Sequence, residues 1–276
     1  SMTNSMAAWI SLEYQLFGPA FSVNTACASS AYAIGLATGM IRSGQLDLVI
    51  VGGADSIINP EEISGFNALY ALSVQNDPPE KASCPFSLNR DGFVIGEGAG
   101  MLVLESESCA RKRGAVIYGE VAGYGFTSEG YNIMAPAKDG EGMAITMEKA
   151  LKDANLNKNE VGYINAHGTS TELNDRYETM AIKQVFGDSA KQIPVTSSKS
   201  MLGHTIGAAG AIEAIISILT IKNGIITPTI NYDIPDAELD LDYVPNLARM
   251  QKVEVALSNS FGFGGHNATL VFKAFI

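Results

Sequence analysis

One cysteine and two histidines stand where chemistry is easiest to arrange: Cys27, His167 and His204. Cys27 lies in Thr25-Ala-Cys-Ala-Ser-Ser30, directly ahead of a run of small and apolar residues, Ser30 to Arg42, interrupted only by Gly35 and Gly39. That run reads as a helix packed very closely against its neighbours. A thiol just before a helix faces unpaired backbone N–H groups and the positive end of the helix dipole, and both favour a nucleophilic thiolate. Most free cysteines are small buried hydrophobes, so position alone raises Cys27 above Cys84 and Cys109.

His167 follows the strand-like run Gly162-Tyr-Ile-Asn-Ala166, and His204 ends Lys199-Ser-Met-Leu-Gly-His204 just before an apolar helix. A backbone partner could satisfy the first and helix capping could explain the second, but strand ends in α/β sheets are where sites gather. His266 reads as a loop residue. The three reactive candidates lack the local spacing of a metal site, so no metal is expected. Gly262, Gly264 and Gly265 lie between two predicted strands instead of opening a helix, which argues against a dinucleotide site.

The elements that must position these residues alternate in type. Leu48 to Val51 and Gly100 to Leu104 read as short apolar strands of a sheet covered on both faces, hence a central one. A strand is expected around Ala115 to Tyr124, a helix over Gly142 to Ala154 and a strand ending at His167. Thr169 to Phe186 follows as a helix, Ile193 to Ser197 as a strand and Gly207 to Lys222 as a helix. Val253 to Leu257 and Thr269 to Phe272 read as strands flanking the Ser258 to Asn267 loop. The pattern is layered α/β, with a soft boundary in the Gly-rich region 123–142. It divides the chain into 1–125, carrying the nucleophile, and 126–276, carrying both histidines.

Composition sets limits. With 276 residues, 46% apolar, the chain can bury a large core as one domain or two halves. A formal charge of −11 argues against nucleic acid or an anionic membrane as partner. Three cysteines without a CxxC suit a reducing cytoplasm. Ile206 to Ile221 is too short for a bilayer span and carries Glu213, so a core helix is expected.

Four segments in order carry a resemblance: Thr25 to Ser30, Asn165-Ala-His-Gly-Thr-Ser-Thr171, Lys199 to His204 and Asn259-Ser-Phe-Gly-Phe-Gly-Gly265. Together they resemble the elongating β-ketoacyl-carrier-protein synthases, whose Cys-His-His order is matched by histidines 140 and 177 residues after Cys27. The resemblance implies the thiolase-like fold, two related α/β halves with helix-covered sheets, as a homodimer. It implies that Cys27 takes an acyl chain from the phosphopantetheine of an acyl carrier protein, with no further cofactor. His167 and His204 then support decarboxylation of a malonyl thioester and its condensation with that chain. The oxyanion hole falls to the N–H groups of Cys27 and Phe263, and Phe263 to a gate that admits acyl chains. Lys199 matches an active-site lysine paired with Glu213, and Thr169 and Thr171 match hydroxyls on the pantetheine arm; Asp175 reads, from its place beside them, as a residue that orients the site from behind. For Lys199, Thr169, Thr171 and Asp175, surface, capping or simple helix-charge readings stay open.

The chain departs from that family in three places. It begins close to the nucleophile, where several strands and helices normally precede it, so an N-terminal part of the first half is expected outside this sequence, the chain being truncated, cleaved or incompletely represented; a separate segment completing the fold is one form this takes. Leu202 stands where many members have Thr, and Tyr70 where some have Arg at the carrier-docking surface. A local basic patch is expected to meet an acidic carrier, from Arg111, Lys112 and Arg113 or from residues of the part outside this sequence. Other classes remain: a non-catalytic chain-length partner, against which Cys27 argues, and a thiolase, which would carry a late cysteine where this chain has Phe263-Gly-Gly265.

Overall fold

A computed structural model describes residues 2–275. The first part runs α1 (Ser5–Glu13), α2 (Ser29–Arg42), β1 (Leu48–Asp55), α3 (Pro60–Ala68), β2 (Gly98–Glu105) and α4 (Glu107–Lys112). It is followed by β3 (Glu120–Ser128), α5 (Glu141–Asp153), β4 (Tyr163–Asn165), α6 (Glu172–Phe186), β5 (Val195–Thr196), α7 (Lys199–Leu202) and α8 (Ala209–Asn223). The chain closes with β6 (Ile225–Ile226), β7 (Arg249–Met250), β8 (Val255–Gly262) and β9 (His266–Lys273).

Five strands form the main sheet in the order β3-β9-β8-β4-β5, with β4 parallel to both β5 and β8 and the remaining pairs antiparallel. Strand alternation decides which core each side chain enters. On β9, Ala268, Leu270 and Phe272 join α2 and α8, whereas Val271 joins the core built on α5 and α6. Beyond α2 and α8 lies the β1–β2 ribbon, whose Val49, Val51, Leu102 and Leu104 meet the same helices. The layers are therefore α5/α6, five-stranded sheet, α2/α8, ribbon.

Gly35 and Gly39 are what lets α2 sit so deep. A Cβ at Gly35 would overlap the Phe126 ring, and one at Gly39 would lie 2.9 Å from the Tyr124 hydroxyl oxygen. The apolar stretch Ile206–Asn223 passes a length-and-composition test for crossing a membrane, but it packs between the ribbon and the main sheet with Glu213 paired to Lys199.

Several expectations need correction. The strands at 48–51 and 100–104 are longer than expected and, among the described residues, form a two-stranded antiparallel ribbon apart from the five-stranded sheet. Among the described residues neither has a second strand neighbour, and Leu48, Met101 and Val103 are exposed. The strand expected at 115–124 begins five residues later, and the boundary drawn after residue 125 falls inside β3. Ser258 to Gly262 is strand, not loop. Its small polar side chains fit a fully buried strand, and only Phe263–Gly265 turns between β8 and β9. Helices α1 and α3 had no counterpart in the sequence reading.

Candidate active site

Cys27 sits at the end of a tight turn leading into α2. The Ser29 hydroxyl donates to the Ala26 carbonyl (2.7 Å) and accepts the Thr25 N–H (2.9 Å), closing the turn from within. Ala26 adopts φ +50°, a left-handed conformation that costs free energy in a residue with a Cβ. Gly262, the last residue of β8, packs on this turn, where a Cβ would lie 2.8 Å from the Thr25 carbonyl oxygen.

The thiol is buried, and the backbone N–H groups of Phe263 and of Cys27 itself face it. Burial nevertheless pushes its pKa up to about 11, outweighing those two groups and the Lys199 charge. The helix-end argument from sequence has the right sign but is not the larger effect. The resting group is a thiol that must lose its proton as it reacts.

Strand β4 delivers His167. The N–H groups of His167 and Gly168 each donate to the carboxylate of Glu178 at 2.8 Å, and Asn259 on β8 adds a third hydrogen bond. Thr269 in turn donates to Asn259 (2.8 Å), so β9, β8, α6 and the His167 turn form one network. Burial pushes Glu178 up to about 7 despite these donors. Sequence reasoning missed Glu178. The available signal was a run of polar residues, Asp175, Glu178 and Thr179, on the helix face that continues into Ile182, Val185 and Phe186.

His204 follows α7. Its backbone is pinned to the strand-like segment before β2, with its N–H on Val94 (2.7 Å) and its carbonyl on the Gly96 N–H (2.9 Å). The Ile206 N–H donates to Nδ1 at 3.2 Å, so the neutral ring carries its proton on Nε2, which makes no hydrogen bond among the described residues. The two imidazoles meet edge to face with centroids 5.2 Å apart. Burial first, and the Lys199 charge second, hold both well below the ordinary histidine value, so both rings are neutral near pH 7.

Lys199 is buried and forms an ion pair with Glu213 on α8, which excludes its surface reading. Burial pushes Glu213 up to about 7 against the pull of Lys199. Thr169 and Thr171 both line the cavity, their hydroxyls 2.9 Å apart, and Thr171 at the α6 N-cap makes no side-chain cap bond. Asp175 is wholly buried and so is no surface charge. It accepts from the Phe86 N–H (2.8 Å) and the Ser170 N–H (3.2 Å), tying two loops beside the cavity without lining it.

A cavity of about 400 Å³ leads to Cys27, His167 and His204 and is also lined by Thr169, Thr171, Phe93 and Phe263. Tyr70, 93% exposed, stands at its mouth. Arg111, Lys112 and Arg113 do not line it, and Arg111 and Arg113 are engaged by Glu107 and Glu105. These three residues thus lie away from the cavity. Leu202 and His266 lie outside the cavity wall as well.

One donor atom from each of Cys27, His167 and His204 lies within 4.8 Å of the others, so separation in sequence is no argument against a metal. The chemical objection is stronger. Nε2 of His204 holds a proton because Nδ1 is occupied, and it cannot bind a cation without surrendering that hydrogen bond.

The comparisons with known proteins agree with this geometry. The family profile described as "Beta-ketoacyl synthase, N-terminal domain" matches residues 1–110, and that of the C-terminal domain matches residues 118–233. A solved type II polyketide ketosynthase, bound to its acyl-carrier protein and a hexaketide, is 42% identical with a TM-score of 0.97, over 99% of this chain and 67% of that one. The chain belongs to the β-ketoacyl synthase family. The ketosynthase fold, thiolase-like with both halves, accounts for the layers described above. A β-ketoacyl synthase from Burkholderia phymatum superposes with a TM-score of 0.94 at 39% identity, over 99% of this chain and 66% of that one. Among curated relatives, the 3-oxoacyl-[acyl-carrier-protein] synthase 2 of Rhizobium meliloti is 49% identical over 275 residues, 99% of this chain. That of Synechocystis is 50% identical over 258 residues, 94% of this chain. The chain spans 65% and 62% of these two relatives' lengths.

Proposed function

We propose that this chain carries the condensing site of a 3-oxoacyl-[acyl-carrier-protein] synthase, acting in fatty-acid or polyketide synthesis. The observation that supports it best is the convergence of a buried thiol and two neutral imidazoles at the inner end of a cavity, with two backbone N–H groups facing the sulfur.

In the first half-reaction Cys27 attacks an acyl thioester held on a carrier. The thiol loses its proton, the new C–S bond forms as the carrier C–S bond breaks, and the carrier thiol takes a proton. The N–H groups of Cys27 and Phe263 stabilise the intervening oxyanion. In the second, a malonyl thioester loses carbon dioxide, leaving the electron pair as an enolate whose oxygen is held by His167 and by the Nε2–H of His204. The enolate attacks the acyl carbonyl, the C–S bond to Cys27 breaks, and the released thiolate recovers a proton. Lys199 keeps both rings neutral and Glu213 balances its charge. Thr169 and Thr171 hold the pantetheine arm, Phe263 gates the acyl chain, and Asp175 holds the flanking loops.

The carrier protein is the partner in this reading, and the working form is a cytoplasmic homodimer of two-half subunits with no metal and no cofactor beyond the carrier's phosphopantetheine. Intact-protein mass spectrometry after incubation with acyl-carrier thioester tests it. The expected result is one acyl adduct, mapped to Cys27 and absent from Cys27→Ala, which still releases carbon dioxide from malonyl carrier. An adduct on Cys84 or Cys109 defeats the proposed nucleophile; a folded wild type without any adduct favours a chain-length partner instead.

A further inference from the structure

The His204 turn is built from a conformation that needs outside support. Ile206 has φ +46°, a left-handed backbone that is costly for a β-branched residue and persists only where its surroundings impose it. That conformation aims the Ile206 N–H at His204 Nδ1 (3.2 Å). The next N–H, that of Gly207, is taken by Oδ2 of Asp55 at 2.7 Å. Asp55 is the last residue of β1, on an element that does not line the cavity.

The fit around this contact is close. A Cβ on Gly207 would lie 2.8 Å from the Asp55 carboxylate oxygen. A Cβ on Gly53, two residues earlier in β1, would lie 2.8 Å from both the Gly207 carbonyl oxygen and the Ser30 Cβ. Ser30 accepts the Ala211 N–H (2.9 Å), so the end of β1, the start of α8 and the nucleophile's helix are joined at one point.

We infer that Asp55 is a positioning residue for His204: by holding the Gly207 N–H it keeps Ile206 left-handed, its N–H on Nδ1 and the ring's proton on Nε2. The outer ribbon thus reaches the site through one carboxylate. The kinetic side of the inference rests on the condensing reading given above; the tautomer itself does not.

The test is NMR of protein carrying isotopically labelled histidine, together with separate assays of acyl transfer and malonyl decarboxylation, for wild type, Asp55→Ala and Asp55→Asn. Wild type is expected to show His204 protonated at Nε2 only. Asp55→Ala should populate the Nδ1–H form and lose decarboxylation by about tenfold or more, the scale of one hydrogen bond to a charged group, with acyl transfer within about threefold. Asp55→Asn, which keeps an acceptor oxygen, should restore both tautomer and rate. Should Asp55→Ala not fold, Asp55→Leu, which fills similar space without an acceptor, takes its place with the same expectation. Retention of the pure Nε2–H form in Asp55→Ala or Asp55→Leu overturns the inference whatever the rates do. A changed tautomer with unchanged decarboxylation upholds it and defeats instead the role proposed for His204.

Discussion

The turns at His167 and His204 each lead on towards a helix, the first from strand β4 and the second from the short helix α7, and both rings are buried and neutral. They are held in opposite ways. At His167 the backbone is fastened by Glu178, and ring nitrogen Nδ1 has no hydrogen-bond partner among the described residues. At His204 the ring itself is fastened, because the Ile206 N–H occupies Nδ1. A ring with one nitrogen occupied has a single neutral tautomer, whereas one with Nδ1 open can adopt either. His204 is therefore set to donate, and His167 is free to change which nitrogen carries the proton.

The largest effect that follows is on the division of labour. His204→Ala should lower decarboxylation and condensation by about 10²- to 10³-fold, the range of a lost oxyanion donor, and leave acyl transfer to Cys27 within about tenfold. Transfer relies on backbone N–H donors that the substitution leaves in place. Rapid-quench measurement of acyl-enzyme and of released carbon dioxide separates the two steps. Equal losses in both would mean that the fixed tautomer has no special part in the second step.

The next effect belongs to the His167 side. Glu178 has a folded pKa of about 7 against an ordinary value of 4.5, so between those pH values the folded state binds more protons than the unfolded state. Stability linked to Glu178 is thus fully present below 4.5 and lost as pH rises through about 7, on the order of 3 kcal/mol at most. Glu213 slopes the same way. Glu178→Gln should remove only the Glu178 share, flattening the pH dependence of urea unfolding between about 4.5 and 7. A slope identical to wild type would show that this carboxylate is ionised throughout.

How much of this was legible in the sequence depends on how local the cause is. Cys27 before a close-packed helix, and the two histidines at the ends of apolar runs, could be read because a few adjacent residues determine each. Glu178 could not, since its partners are backbone groups 10 and 11 residues earlier and Asn259 on another strand. Ser258 to Ser260 looked like loop by composition, yet the strands on either side bury it. Sheet order and the pairing of β1 with β2 arise from contacts between distant segments, and hydrophobic periodicity carries no information about those. The acidity of Cys27 was misjudged for a related reason: local donors can be read from sequence, whereas the desolvation that outweighs them is set by the whole fold.

Lys199 acts on both rings and so tests what they share. Its charge is the second cause, after burial, of their low pKa values. Lys199→Met should therefore move the acid limb of the condensation profile to higher pH, since each ring protonates more readily once the neighbouring cation is gone. Without Lys199 the Glu213 carboxyl is pushed further up and takes a proton near neutral pH, so the variant should lose stability mainly as pH rises above about 7 and the carboxyl must ionise unpaired. A pH–rate profile measured beside thermal unfolding distinguishes the two consequences, and an unmoved acid limb would assign the low pKa values to burial alone.

The smallest effect concerns two threonine hydroxyls of the cavity wall that follow His167, whereas Thr205 after His204 does not line it. They belong to Thr169 and Thr171, and the residue two before His204, Leu202, does not line the cavity either. Because the Thr171 hydroxyl makes no helix-cap bond, its loss should cost little stability, and Thr171→Val should melt within about 2 °C of wild type. Its hydrogen bond to Thr169 at 2.9 Å leaves the remaining hydroxyl capacity free for the amide-bearing arm of a substrate. One neutral hydrogen bond contributes about 1 kcal/mol, so KM for carrier-bound substrate should rise about three- to tenfold with kcat unchanged. A lower kcat at constant KM would place this hydroxyl in the reaction itself, and the contrast between the two sides would then extend from how each ring is held to what each side does in the transition state.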